Sequence, residues 1–342
     1  TRKESSAASD VYKRQPLIKL NKLNDELKFQ NIYYKDEDKR FELKSFKALG
    51  GAFAVYKIAS EKKNITVSTA TAGNHGRSVA WGAQRLGLKC KIFISEFVSE
   101  SRAEAMRSLD AEVIRVKGNY DNSLKECIKQ SNANNWEIVQ DVSWEGYKEV
   151  PKLIMAGYTI MVKEILGEIN SNSITHVFLQ AGVGGMAAAM IAGFAKLSKN
   201  IPKFITVEPE KADCVFQSIK NNKPTTVDIK KETIMGGMSC GDVSSIAWEI
   251  LKNSTNYCLT VPDDAISTTV ALLAEKHLSD EKIIAGECAV PGIIALIGSF
   301  NNKEYLDKLG LNEQSNVLLF GCEGLTDEAM YQKLLSDGLQ KI

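Results

Sequence analysis

Residues 176–187, HVFLQAGVGGMA, place a short apolar run directly before a glycine-rich turn and an alanine-rich segment. This order predicts a β-strand, a tight loop and a helix, because apolar residues fill a buried strand and glycine lets the chain turn. Backbone amides in such a loop can approach an anion closely, and the N-terminus of the following helix attracts it. The segment therefore predicts a phosphate-binding loop in an α/β protein.

The loop alone leaves the identity of the bound phosphate open. Gly182, Gly184 and Ala187 fit the dinucleotide pattern GxGxxG/A, and Glu208 stands where such proteins carry the acid that binds the ribose. An NAD-binding protein is therefore one interpretation of this segment. A protein that binds a different phosphorylated cofactor is the other.

Short apolar or β-branched runs alternate with longer helical patterns along the rest of the chain. The predicted strands cover residues 65–68, 91–94, 112–116, 137–139, 176–179, 204–207, 257–260 and 316–320. A repeat of roughly 20–25 residues in the first series is typical of βαβ units that build a parallel sheet. We expect two such series, joined by a helix across residues 148–165. Residues 1–15 are polar and without pattern, and we interpret them as a non-native or disordered tail.

The composition argues against several classes of protein. The 342 residues carry 43 Lys+Arg and 42 Asp+Glu, and a net charge of +1 gives no basic excess to attract nucleic acid or a membrane surface. The seven cysteines form no CxxC motif, and with three histidines they predict no metal site. An odd cysteine number, no signal peptide and no 18-residue apolar segment predict a cytoplasmic protein without a transmembrane helix.

Six motifs, in order along residues 33–331, resemble one enzyme family. They are SFKALGGAFA at 45–54, GNHGRSVAW at 73–81, QDVSWEGY at 140–147, AGVGG at 181–185, MGGMSCGD at 235–242 and CEG at 322–324. The set resembles the fold-type II pyridoxal phosphate enzymes, the tryptophan synthase β-like superfamily, and within it the diaminopropionate ammonia-lyases. The resemblance implies an α/β fold of two open, twisted, mostly parallel sheets flanked by helices, and a homodimer. It further implies a large cofactor-binding domain of residues 16–50 and 161–342 and a small domain of residues 51–160.

The same resemblance implies the residues that hold pyridoxal 5′-phosphate. Lys47 would carry the cofactor as a Schiff base and, once released from it, remove the proton from the substrate Cα. A lysine suits both roles because burial lowers its pKa. Asn74 would bind the cofactor 3′-oxygen, and Cys322 would face the pyridine nitrogen as a neutral group. The amides expected to bind the phosphate belong to Gly182, Val183, Gly184 and Gly185.

The substrate residues are implied in the same way. The backbone of the loop that contains Thr69, Ala72 and Gly73 would bind the substrate carboxylate, and Asp141 would bind or protonate its distal amine. Ala72 stands where the family carries an aspartate that acts on the D-isomer, so we expect the L-isomer to be favoured. Tyr120 matches a further position near the site. The alternatives are that Asp141 caps a turn and that Tyr120 only packs its loop.

The resemblance implies an enzyme that eliminates ammonia from 2,3-diaminopropionate and yields pyruvate and ammonia. Ala72 keeps a second enzyme open, a pyridoxal phosphate-dependent dehydratase of the serine/threonine or hydroxyaspartate type. Two further hypotheses are an NAD-binding protein and a catalytically silent homologue, and retention of Lys47 argues against the silent one. His75 is expected to organise its loop rather than to take part in chemistry.

Overall fold

The computed structural model describes residues 13–170 and 173–342. The described strands are β1 (Leu17–Lys19), β2 (Asn31–Asp36), β3 (Thr66–Ala70), β4 (Lys89–Ser95), β5 (Glu112–Val116), β6 (Glu137–Ile138), β7 (His176–Gln180), β8 (Lys203–Pro209), β9 (Tyr257–Val261) and β10 (Asn316–Gly321). They form a large sheet in the order β1-β2-β10-β7-β8-β9 and a small sheet in the order β5-β4-β3-β6. Every described pair is parallel except β1 with β2. The predicted fold class is confirmed.

Helices fill most of the connections between the strands. They are α1 (Asn21–Leu27), α2 (Lys47–Glu61), α3 (Asn74–Arg85), α4 (Glu100–Arg107), α5 (Tyr120–Asn134), α6 (Glu149–Tyr158), α7 (Ile160–Leu166), α8 (Gly185–Leu197), α9 (Cys214–Lys220), α10 (Ser245–Ser254), α11 (Asp264–Ala274), α12 (Pro291–Phe300), α13 (Lys303–Leu309) and α14 (Glu328–Leu339). Within the described ranges, no helix has the length and apolar character needed to cross a membrane.

All eight predicted strands are present, and the helix expected across residues 148–165 is the pair α6 and α7. Strands β1 and β2 were not predicted from the sequence. Strand β2 joins the last strand, β10, over six residues from Asn31–Asn316 to Asp36–Gly321. The large sheet thus combines strands from both ends of the chain, and the small sheet uses only the middle.

A buried ion cluster lies where the chain passes between the two sheets. Lys35 in β2, Arg40 just after it and Glu164 in α7 have fully buried side chains. The Glu164 carboxylate lies 2.6 Å from Lys35 Nζ and 2.8 Å from Arg40 Nη2. Glu37 completes the cluster through a 2.8 Å contact with Arg40 Nε. The cluster links the segment that leaves the large sheet after β2 to α7, which leads back into that sheet before β7.

The expected tail at residues 1–15 differs in part from the structure. Residues 1–12 lie outside the described residues. Gln15, however, is buried, and its backbone N–H donates to Glu164 Oε2 at 3.3 Å. The Lys35 ammonium donates to the Gln15 carbonyl oxygen. Residue 15 is therefore part of the fold, because the buried cluster needs its backbone groups.

Helix α2, which begins with Lys47, packs backbone to backbone on α6. A Cβ atom at Gly157 would lie 2.4 Å from the Leu49 carbonyl oxygen and 2.9 Å from Gly50 Cα. Only glycine allows this approach, since those distances are shorter than any normal contact. The close packing fixes where the first turn of α2, and with it Lys47, lies.

Candidate active site

The candidate site lies at the carboxyl ends of parallel strands from both sheets. Strand β3 leads into the loop before Asn74, β7 into the glycine loop, and β10 into Cys322. In open α/β sheets this edge is the usual place for ligands. The loops there are bonded to one another, which defines a single site between the sheets.

Two backbone–backbone hydrogen bonds and one from a backbone N–H to a serine hydroxyl join these loops. The Phe46 N–H donates to the Cys322 carbonyl at 3.0 Å, which places Lys47 beside the end of β10. The Ser244 N–H donates to the Val183 carbonyl at 2.9 Å, and the Ser143 N–H donates to Ser244 Oγ at 3.1 Å. The glycine loop is therefore tied to the segment that carries Asp141.

Lys47 and Asp141 form an ion pair at the centre of the site. The Lys47 Nζ donates to Asp141 Oδ2, and the Lys47 side chain remains 24% exposed, so a ligand can reach it. Burial favours the neutral amine, but the Asp141 carboxylate outweighs burial and raises the pKa of Lys47. Burial favours the neutral form of Asp141 as well and so raises its pKa. His75 and Lys47 outweigh this effect and lower the pKa of Asp141 to about 2. Asp141 is thus an ionised carboxylate that binds an ammonium group.

His75 organises the loop, as predicted. Its Nε2 bonds to the Val139 carbonyl oxygen at 2.7 Å, and its Nδ1 lies 3.8 Å from Asp141 Oδ2. Burial lowers the pKa of His75, and the Asp141 carboxylate opposes this shift.

Asn74 is held by a residue to which the sequence analysis gave no role. Its Nδ2 donates to Glu323 Oε2 at 2.5 Å, and Glu323 Oε1 accepts from the Cys288 N–H at 3.0 Å. The Cys322 thiol donates to the Cys288 carbonyl at 3.1 Å. Burial, reinforced by Glu323, raises the pKa of Cys322 and keeps its thiol neutral. Glu323 belongs to the CEG motif, so the motif was the signal that could have found it.

The glycine loop fits a phosphate group. Gly184 has a φ of +87°, and a Cβ there would lie 2.7 Å from Leu251 Cδ1. A Cβ at Gly182 would lie 3.1 Å from Cys240 Sγ, so both positions favour glycine. The first N–H groups of α8 have no acceptor within the helix, and together with the helix dipole they form an anion site. A lysine amine that can form a Schiff base, a neutral thiol and an amide cradle fit the aldehyde, the ring and the phosphate of pyridoxal phosphate.

Two of the expected substrate residues need correction. Thr69 lies inside β3, is fully buried, and donates its hydroxyl to Gln140 Oε1 at 2.8 Å. The Gly73 N–H donates to Thr71 Oγ1 at 2.9 Å and is also engaged. In the part of the chain that the structure describes, the Ala72 N–H donates to no other group. The stretch of loop backbone left free to bind a ligand is therefore shorter than expected, and Thr71 organises it by accepting from the Gly73 and Gly76 N–H groups.

Tyr120 lies at the start of α5 and is anchored by Gln140. Gln140 Nε2 donates to the Tyr120 hydroxyl at 2.7 Å and to the Ala70 carbonyl at 3.0 Å. Gln140 is the residue before Asp141 and belongs to the QDVSWEGY motif, yet the sequence analysis gave it no role. It connects Tyr120 and β3 to the Asp141 segment.

Glu208 does not serve a nucleotide. Its side chain is fully buried, and its two carboxylate oxygens accept from the Val215 and Phe216 N–H groups at 2.8 and 2.7 Å. Both oxygens therefore bind the start of α9. This arrangement removes the ribose-binding acid on which the NAD interpretation depended.

The fold and the site define a class of protein. The chain belongs to the family described as pyridoxal-phosphate dependent enzymes, whose family model matches residues 8–320. The predicted family and cofactor are confirmed.

The chain is similar along nearly its whole length to diaminopropionate ammonia-lyase. The enzyme of that name from Escherichia coli strain K12 is 33% identical over 96% of this chain and 88% of its own length. A crystal structure of the Escherichia coli enzyme with an aminoacrylate–PLP azomethine reaction intermediate has a TM-score of 0.89, at 34% identity and the same coverage. A biosynthetic L-threonine dehydratase from Haemophilus influenzae is 29% identical over 61% of this chain and 39% of its own length. The dehydratase alternative is thus the weaker one.

Proposed function

We propose that this chain is a pyridoxal phosphate-dependent lyase that eliminates ammonia from L-2,3-diaminopropionate. The observation that carries the proposal is the Lys47–Asp141 ion pair, which lies beside the glycine loop. A Cβ at Gly185 would lie 3.8 Å from the Asp141 carbonyl oxygen, so the pair adjoins the start of α8. A reactive lysine, an ammonium-binding carboxylate and a phosphate cradle match a diamino acid bound on this cofactor.

The chain's own residues divide the work of the elimination. When bound, the cofactor supplies the electron withdrawal that makes the substrate Cα proton acidic. The Lys47 amine takes that proton, and Asp141 binds the distal ammonium that leaves Cβ as ammonia. The free 2-aminoacrylate then reacts with water to give pyruvate and a second ammonia.

The substrate itself prepares Lys47 to act as the base. Asp141 raises the pKa of Lys47 while the two are paired. Once the distal ammonium of the substrate binds Asp141, the carboxylate stabilises the charge of Lys47 less. Burial then lowers the pKa of Lys47 and favours its neutral amine. Only a neutral amine can accept a proton.

The Lys47–Asp141 pair also separates the lyase from the dehydratase alternative. An ionised carboxylate attracts a cationic leaving group, whereas the hydroxyl of serine or threonine carries no charge. Turnover of 2,3-diaminopropionate faster than of L-serine or L-threonine supports the lyase, and the reverse order supports the dehydratase.

The decisive experiment replaces Lys47. We expect Lys47→Ala to abolish the visible absorption of the lysine-bound cofactor and to lower the rate of ammonia release by about 10³-fold or more. Lys57→Ala, in the same helix, is the matched control and keeps both. A wild-type protein that is colourless with pyridoxal phosphate and inactive on all three amino acids contradicts the proposal.

We also propose the remaining features implied by the family. Residues 16–50 with 161–342 are proposed to form the larger domain and residues 51–160 the smaller, which the division of strands between two sheets supports. The protein is proposed to be a cytoplasmic homodimer that binds no nucleic acid. Light scattering during gel filtration tests the dimer, and a mass equal to one chain contradicts it.

A further inference from the structure

Arg102 in α4 bridges the two sides of the candidate site. Its Nη2 lies 2.9 Å from Glu287 Oε1, and its Nε lies 3.3 Å from Asp327 Oδ2. Helix α4 packs with the small sheet, whereas Glu287 and Asp327 lie next to α12 and α14 of the large-sheet side. We call these two ion pairs the Arg102 bridge.

The same side chain contacts the loop before Asn74. Arg102 Nη1 donates to the Ala72 carbonyl oxygen at 3.5 Å. A Cβ at Gly73 would lie 3.3 Å from Arg102 Cδ, so the aliphatic part of the arginine covers this residue. The Arg102 bridge therefore joins the Ala72–Gly73 backbone to the large-sheet side.

A second contact reinforces the bridge through two helix caps. Ser99 Oγ accepts from the Arg102 N–H at the start of α4, and Asp327 Oδ1 accepts from the Met330 N–H at the start of α14. The Ser99 hydroxyl in turn donates to Asp327 Oδ2 at 3.0 Å. The two N-termini are thus hydrogen-bonded to each other, which sets the position of α4 relative to α14.

Glu287 is the partner whose charge varies near neutral pH. Burial, followed by the nearby Glu323 carboxylate, raises its pKa to about 7, and Arg102 opposes the shift. The other charged or titratable groups packed around the bridge are Arg77 of α3, Asp327 before α14, and the Cys288 and Cys322 thiols, which burial keeps neutral. The charge of Glu287 therefore controls one half of the bridge.

We propose that Arg102 is a positioning residue that holds the Ala72–Asn74 loop in the geometry that binds the substrate carboxylate. The inference rests on the proposed function for the role of that loop. Arg102 acts through the loop backbone, so it governs the binding of substrate and not the proton transfer by Lys47.

The kinetic test compares Arg102→Gln with Arg107→Gln. Arg107 lies in the same helix but pairs with Glu100 and Glu104 at the surface. We expect R102Q to raise KM for 2,3-diaminopropionate by about 10- to 100-fold, the effect of losing one or two charge-assisted hydrogen bonds, with a smaller change in kcat. R107Q is expected to match the wild type. A fall in kcat at unchanged KM overturns the inference.

Hydrogen exchange measures the loop without turnover. In the cofactor-free full-length protein, R102Q is expected to increase deuterium uptake in residues 71–76 and 97–104, and R107Q is expected to leave it unchanged. Equal deuterium uptake in both variants contradicts the inference that Arg102 holds the Ala72–Asn74 loop in place. This readout also separates the two proposals: an inactive wild type contradicts the proposed function, while the exchange data decide the bridge independently.

The pH dependence identifies Glu287 as the partner. Glu287 is ionised above its pKa of about 7 and holds Arg102 more weakly once protonated. The ratio of the R102Q KM to the wild-type KM should therefore be largest at pH 8 and become smaller towards pH 6. Ionisation of the substrate affects both KM values equally and cancels in this ratio. Glu287→Gln at pH 8 should resemble the wild type at pH 6. A ratio that stays constant with pH excludes Glu287 from this role.

Discussion

Ala72 is the residue at which this chain departs most clearly from the proton-transfer chemistry of the family it resembles. Its methyl group can neither give nor take a proton, and its half-buried position lies in the loop beneath Arg102. Two enantiomers held by the same contacts present their Cα protons to opposite faces, so the D-isomer needs a base on the face opposite Lys47, the base that we propose for the L-isomer. The chain therefore lacks a base on that face at this position.

We predict that Ala72→Asp increases kcat/KM for D-2,3-diaminopropionate by about 100-fold, because a positioned general base contributes about that much or more. Turnover of the L-isomer should change far less. Ammonia release from each enantiomer measures both. Ala72→Asn is the matched control, since it has the same size and cannot accept the proton. Equal gains in both variants would show that size, not proton transfer, is the cause.

At the residue scale, the motifs predicted which groups meet at the candidate site, whereas the roles given to these groups stay predictions. Lys47, Asn74 and the glycine loop stand inside motifs whose residue types leave few other roles. Gln140 and Glu323 also stand inside these motifs, but their partners were not predictable, because an amide or a buried carboxylate shows its partner only in three dimensions. Thr69 was misplaced, since the sequence does not mark where β3 ends and the loop begins.

At the scale of elements, the packing of α2 on α6 determines where the lysine is presented. The contact depends on Gly157, whose missing side chain admits the Leu49 carbonyl. Any larger residue must separate the two helices, and α2 would then carry Lys47 away from Asp141.

We predict that Gly157→Ala lowers the free energy of unfolding by about 1–3 kcal/mol, the usual cost of overpacking, and weakens cofactor binding. Gly298→Ala in α12 is the control, because a Cβ at that position meets nothing within 4 Å. The control should gain about 0.5–1 kcal/mol, as an alanine does in a helix interior. Urea unfolding measures both variants, and a stabilised Gly157→Ala would refute the proposed close contact.

Among the elements, the buried parallel strands were predictable and the N-terminal ones were not. Strands such as β7 are continuous apolar runs, which is the pattern of a strand covered on both faces. Strand β2, NIYYKD, carries Lys35, and a lysine normally indicates an exposed position. Here Lys35 is buried because Glu164, 129 residues further along the chain, neutralises it. Sequence patterns cannot report a pairing at that distance.

At the scale of the whole molecule, the buried ion cluster joins the two segments that connect the large sheet to the small one, the first after β2 and the second at α7. The Glu164 carboxylate faces two buried cations, Lys35 and Arg40. Burial alone raises the pKa of Glu164, but hydrogen bonds from Arg40 and Lys35 outweigh it and lower the pKa to about 2. Removing this charge would leave the cations with Glu37 alone.

We predict that Glu164→Gln lowers the free energy of unfolding by about 3–5 kcal/mol at pH 7, the cost of breaking a buried ion pair. Because the pKa of Glu164 is lower in the folded state, its contribution is complete above the unfolded value of about 4.5 and fades as the pH falls towards 2. The difference between variant and wild type should therefore narrow between pH 5 and pH 3. Glu168→Gln, near the surface, should cost less than about 1 kcal/mol. A difference in the free energy of unfolding that does not change with pH contradicts an ionised, ion-paired Glu164.

The pairing of β2 with β10 also orders events during synthesis. Asn31 and Asn316 are neighbours in the sheet but 285 residues apart along the chain. The small sheet is complete once residue 138 has left the ribosome, whereas β2, which can pair early with β1, must wait for β10, the last of the described strands to emerge. Pairings of such long range form slowly, because the chain must first close a large loop. We therefore expect the growing chain to fold from its middle outward and to become able to hold its cofactor only after β10 and Cys322 have emerged.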